Sequence, residues 1–203
     1  AEYAKGYMKH YNIPVETMEK MLWTIGALGY KNGAENPLAQ QRKGPQTLEE
    51  IAALSQADEK GKCKNMMIAA PLRLHDCSLV SDGAAAVILA ADDLVADFPR
   101  AVRLRARVQV NDYLPMARRR VVDFEGPRRA WQQALQQAGC AVHDLSLAEV
   151  HDCFTIAELL TYEAMGLAPA GQGHRLLEDG TVLRSGRLPV NASGGLKAKG
   201  HPI

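Results

Sequence analysis

Apolar residues recur along this chain with two different periods, and each period predicts a different kind of element. Val15, Met18, Leu22, Ile25 and Leu28 fall on one face of a helix. Gly33 and Asn36-Pro37 break that pattern. Thr47, with Glu50 three residues on, reads as a capping box, and Leu48, Ile51, Ala52 and Leu54 form the apolar face of the short helix it opens. Residues 56–65 are polar and predict an exposed loop. Met66, Met67 and Ile68 lead back toward a core at Pro71-Leu72. Residues 82–90 follow a tight turn with an unbroken apolar run, which predicts a strand buried on both faces. Asp92-Asp93-Leu94-Val95 predicts a short capped helix and Phe98-Pro99-Arg100 a linker.

Residues 102–110 alternate apolar and polar, which predicts a strand with one wet face. Its three arginines, Arg103, Arg105 and Arg107, make either a solvated face or a phosphate-binding one. Gly126-Pro127 opens a helix with inner face Ala130, Trp131, Ala134, Leu135 and Ala138, closed by Gly139. His143 and Asp144 sit in the turn that follows. A strand over 145–150 then runs into His151-Asp152-Cys153-Phe154, and a helix from Thr155 to Met165 ends at Gly166. This strand–helix alternation predicts α/β packing. In such sheets sites gather at the carboxyl ends of strands, which is where His151 and Cys153 fall. Residues 168–188 look loop-like, with a hairpin turn at 178–181. There is no internal repeat.

Composition narrows the partners more than the fold. The 203 residues are 47% hydrophobic and 23% charged, enough for a substantial core and for one or two domains. A net charge of +1 points away from nucleic acid and acidic membranes. No apolar run reaches the ~20 residues of a membrane span, and no signal-peptide pattern is present. Cys63, Cys77, Cys140 and Cys153 lack zinc or C-x-x-C spacing, so the expectation is free thiols and a cytoplasmic protein, or a peroxisomal one in a eukaryote.

The candidate chemistry sits at the end of the chain. Residues 191–203 contain Gly194-Gly195 and then Gly200-His201-Pro202. Proline restricts its own backbone and that of His201, so the imidazole is carried on a stiff turn, suited to act as a base near neutral pH. His151, Cys153 and His201 together allow nucleophilic or proton-transfer chemistry. They also allow a metal site, which lacks a fourth ligand at a useful spacing, or plain packing in a core.

His151-Asp152-Cys153-Phe154, with Asn191, Ser193-Gly194-Gly195 and Gly200-His201-Pro202, resembles the thiolase family. Within it the match is to the sterol-carrier-protein-type branch, which includes lipid-transfer proteins and acetyl-CoA acetyltransferases. Asn36-Pro37-Leu38-Ala39 and residues 78–86 agree with that branch, and the resemblance runs along the whole chain in the expected order. It implies an α/β, αβαβα layered fold of two similar halves, with a loop domain over the active site. Residues 1–78 would be part of the loop domain, 79–99 the end of the N-terminal half, and 100–203 the C-terminal half up to its histidine loop. The chain would then be an internal piece, with the nucleophilic cysteine before Ala1 and no turnover by the piece alone.

The resemblance also implies roles. His201 activates the nucleophile by taking its proton. Cys153 moves the proton alpha to the thioester carbonyl. His151 and His201 offer N–H groups to the developing oxyanion. Ser78, Asn191, Gly194 and Gly195 belong to the substrate and coenzyme A side, Ser78 touching the pantetheine arm. A thiol of pKa ~8.5 can be tuned by a neighbouring imidazole to give and take a proton. The expected substrates are acyl-CoA thioesters, with coenzyme A a substrate and no tightly bound cofactor. A homodimer or a dimer of dimers is expected. The rivals are a retro-aldolase on a steroid side-chain CoA ester, which would use an OB-fold, zinc-ribbon partner, and a non-catalytic acyl-CoA or lipid-binding protein.

Overall fold

Helix α5 (Thr155–Ala164) is buried on nearly every side and forms the axis of the core. Ile156, Leu159, Leu160 and Tyr162 are buried on different sides of it. Around it pack α2 (Val15–Ala34) and α4 (Glu125–Ala138). Helix α1 (Glu2–Tyr11) lies against α2. The computed structural model of the protein describes residues 1–115 and 118–202. Ile203, the last residue of the histidine-loop segment, therefore lies outside the described residues.

Helix α2 follows its hydrophobic stripe. Met18, Leu22, Ile25 and Leu28 join the main core, while Trp23 and Ala27 on another face meet Ile51 of α3 (Leu48–Leu54). Val15 is exposed despite sharing the stripe. The Thr47 hydroxyl accepts from Glu50 N at 3.2 Å, as a capping box requires. The return bond is shifted by one residue, because the Glu50 carboxylate accepts from Gln46 N at 2.6 Å. Helix α4 stops at Gly139 in the left-handed region (φ 65°), where a side chain would be strained. Its predicted inner face is half-buried. The loop after α5 is tied back to α1. Tyr7 Oη donates to Glu163 Oε1 at 2.5 Å, and Glu163 also accepts from Gly171 N and Gly173 N.

The predicted strands fare differently from the helices. A short antiparallel hairpin, β1 (Met67–Ala69) with β2 (Leu72–Arg73), is the only named sheet among the described residues. Residues 82–90 form no strand, and Val87 is 86% exposed. Residues 102–110 form none either. A strand draws its hydrogen bonds from neighbouring strands, and no described segment pairs with these two. Residues 145–150 keep one parallel bridge. Ala148 N donates to Pro189 O and Ala148 O accepts from Asn191 N, both at 2.9 Å. Asp92–Asp97 is a short 3₁₀ helix of about two turns rather than an α-helix. The turn at 178–181 follows a short helix, α6 (Arg175–Glu178), and joins no strands, so the hairpin expected there is absent. Among the described residues no helix is long and apolar enough to cross a membrane.

Leu159 is fully buried on the axis helix. Leu159→Ala should lower the unfolding free energy by roughly 2–5 kcal/mol in urea titration; a loss under about 1 kcal/mol would show that α5 does not carry the core.

Candidate active site

Three segments meet at one place: 77–81, 151–154 and 191–202. The segment from 150 to 154 is extended, so successive side chains alternate sides. Asp152 points inward and is 5% exposed, while its neighbours His151 and Cys153 share the opposite side. His151 is exposed and Cys153 half-buried, and both line a cavity of about 630 Å³ with Phe124, Trp131 and Leu160.

The buried Asp152 carboxylate has a defined task. It accepts from Leu196 N at 2.8 Å and from Lys197 N at 3.3 Å, the first free N–H groups of α7 (Gly195–Lys199). Glycine at position 195 is required by this contact: its φ is 58°, and a Cβ would stand 2.5 Å from Asp152 Oδ2. Gly194 is equally constrained, since a Cβ there would stand 2.7 Å from Gly33 Cα on α2.

Asn191 fixes where this loop begins. It adopts φ 49°, which Asn tolerates better than most residues. Its Oδ1 accepts from Val150 N at 2.8 Å, its Nδ2 donates to Glu158 Oε2 at 3.0 Å, and its carbonyl accepts from Asn32 Nδ2 at 3.0 Å. The loop ends with His201 in a parallel bridge to Val80, His201 N donating to Leu79 O at 2.7 Å.

The result is a pair of imidazoles. The His151 and His201 rings lie 4.9 Å apart between centroids and meet edge to face at 81°. Partial desolvation, then the nearness of His201, holds His151 below the ordinary imidazole value, against the pull of Asp152. It is therefore neutral near pH 7, and a neutral ring keeps one N–H to donate and one nitrogen to accept. Burial raises the Cys153 thiol above its usual value, so it rests as a thiol rather than a thiolate. Ser78 is bound to the same segment: its N and its Oγ both donate to the Cys153 carbonyl, at 3.0 and 2.9 Å.

The structure thus brings His151, Cys153, His201 and Ser78 together, with Asn191, Gly194 and Gly195 shaping the loop behind them. Sequence reasoning assigned no role to Asp152, Glu158, Lys197 or Asn32. Glu158 carried a signal, being a carboxylate inside an apolar helix. It is buried and accepts from Tyr162 Oη at 2.6 Å as well as from Asn191. Lys197 carried none, because a lysine in a Gly-rich loop reads as solvated.

Residues 109–203 match the family described as thiolase C-terminal domain-like. The chain is 35% identical over 202 residues to the acetyl-CoA acetyltransferase of Methanothermobacter thermautotrophicus, covering 98% of this chain and 49% of that one. It is 33% identical over 207 residues to sterol carrier protein 2 of Bos taurus, covering 98% and 35%. It is 30% identical over 175 residues to the benzoylsuccinyl-CoA thiolase subunit BbsB of Thauera aromatica, covering 85% and 42%. The solved structure of an Ltp2-ChsH2(DUF35) aldolase superposes with a TM-score of 0.82 at 24% identity, over 99% of this chain and 50% of that chain. At that identity the likeness is one of fold. Residues 109–203 belong to the thiolase C-terminal domain-like family, and the chain has the α/β layered fold of the thiolases. It spans about half the length, or less, of the relatives it matches.

Burial raises the Glu158 carboxyl from 4.5 to about 8. A carboxyl raised on folding contributes stability that is complete below pH 4.5 and is lost as pH rises through about 8. Glu158→Gln should therefore lose less thermal stability than wild type across that window. Equal slopes in melting scans would mean that Glu158 does not titrate there.

Proposed function

We propose that this chain supplies the acid/base side of a thiolase-type acyltransferase. The reaction is cleavage of a 3-oxoacyl-CoA by coenzyme A, or the reverse Claisen condensation of two acyl-CoA molecules. The observation that carries the reading is the edge-to-face pair of His151 and His201, with His151 lining the same cavity as Cys153. The named relatives support it at the level of the family.

In this reading the nucleophilic cysteine comes from outside residues 1–203, in the N-terminal half that residues 79–99 complete. His201 takes the proton of that thiol. The thiolate attacks the thioester carbonyl, and coenzyme A leaves as its thiol, so that an acyl-enzyme remains. In the condensing direction Cys153, as thiolate, removes the alpha proton of a second acyl-CoA. The carbanion attacks the acyl-enzyme, and the enzyme thiolate departs. In the thiolytic direction the Cys153 thiol protonates the departing carbon. The N–H groups of His151 and His201 hold the thioester oxygen as negative charge develops. Residues 1–78, as part of a loop domain, with Ser78, meet the coenzyme A arm. Coenzyme A is a substrate and not a resident cofactor. Two copies of the chain's parent protein would associate, and four free thiols agree with a cytoplasmic setting or a peroxisomal one. Cys153 favours this reading over a retro-aldolase with an OB-fold, zinc-ribbon partner, because the aldolase reaction has no use for a thiol.

The test uses the polypeptide that also carries the nucleophile. Cys153→Ala should abolish acetoacetyl-CoA turnover while acyl-enzyme still accumulates in a quench assay; full turnover would remove Cys153 from the alpha-proton step. His201→Ala should slow alkylation of the nucleophile by iodoacetamide at neutral pH by roughly tenfold or more. An unchanged rate would take His201 out of the activating role.

A further inference from the structure

Lys197 is the least expected residue of the site. It is 4% exposed, yet its side chain carries an ammonium group, and the chemistry proposed above leaves it unused. Burying a cation without partners is strongly unfavourable, so its contacts show what holds it. Its Nζ donates to the Cys77 carbonyl and lies 5.4 Å from the centroid of the Tyr30 ring on α2. The nearby Asp76 and Asp152 favour its charge, and burial opposes it.

Followed around, these contacts close on themselves. Lys197 Nζ holds Cys77 O. The next residue, Ser78, donates both N and Oγ to Cys153 O. The residue before Cys153 is Asp152, whose carboxylate accepts from Lys197 N. The ring thus joins the three segments that carry Ser78, Cys153 and His201. Asp76 braces it from outside, accepting from Thr155 Oγ1 at 3.0 Å at the start of α5.

We propose that Lys197 is a positioning residue: through the Cys77 carbonyl and Ser78 it holds the Cys153 segment in the orientation that sets its side chain in the cavity it shares with His151. The effect on turnover rests on the thiolase reading. The effect on Cys153 itself does not.

The test measures Cys153 directly. Iodoacetamide labelling is followed peptide by peptide by mass spectrometry, in wild type and in Lys197→Met, with the fold checked by circular dichroism. Lys197→Met should label Cys153 roughly tenfold faster, because losing one partner of a buried bond frees the segment. Cys140, outside the ring, should label at its wild-type rate. Lys197→Gln, which keeps a donor, should fall between the two. In the polypeptide carrying the nucleophile, kcat should fall roughly tenfold in Lys197→Met with KM changed less than about twofold. A Cys153 rate within about twofold of wild type in folded Lys197→Met overturns the proposal. If neither Lys197 variant folds, Ser78→Ala weakens the ring one step on by removing the Oγ bond while the Ser78 N bond stays; faster Cys153 labelling there upholds the proposal and an unchanged rate overturns it. Faster Cys153 labelling in Lys197→Met, with no thiolytic turnover by the wild-type polypeptide that carries the nucleophile, would uphold the positioning role and remove the thiolase reading.

Discussion

The arrangement depends on one buried carboxylate. Asp152 sits between His151 and Cys153 in sequence and turns away from both, because an extended chain alternates its side chains. A carboxylate taken out of water needs donors, and the cheapest ones nearby are the unpaired N–H groups at the start of α7. That single contact locks two segments separated by more than 40 residues of chain. It also explains the glycine pair, since a Cβ at position 195 would occupy the space of the carboxylate. His201 then follows one short helix away, at the distance that lets its ring meet His151.

Behind this layer lies a second one of buried polar groups. Glu158, Tyr162, Asn191 and Asn32 form a connected network between α5, the loop and α2. Such groups contribute little net stability compared with apolar side chains of the same size, because desolvation offsets most of the attraction. What they supply is uniqueness of register: Asn191 uses its amide oxygen, amide nitrogen and carbonyl on three different elements, and a shifted loop would leave all three unsatisfied. A proton-transfer site needs that kind of definition more than it needs extra stability, since small errors in position are costly to rate.

Helices α2 to α5 were legible because their signals are local. Thr47 with Glu50, Gly139 and Gly166 mark helix ends through bonds and backbone conformations made within a few residues. The strands at 82–90 and 102–110 were read from equally clear patterns and are absent, because a strand is completed only by a neighbour distant in sequence. Ser78 shows the same division within the site: the family resemblance marks it as a contact of the pantetheine arm, but its bonds to the Cys153 carbonyl depend on a residue 75 positions away.

The sequence by itself determined the residue types at the site, their order, and the family to which they belong. Short-range spacing is enough for that: His-x-Cys on an extended segment, and glycines ahead of a histidine held by proline. Only the tertiary structure decided which groups touch. It paired the two imidazoles, turned Asp152 inward to hold α7, and placed Lys197 where its charge has a carbonyl and an aromatic ring instead of water. The reason is physical: a residue's chemistry is its own, but its burial and its partners belong to segments that meet only when the chain is folded.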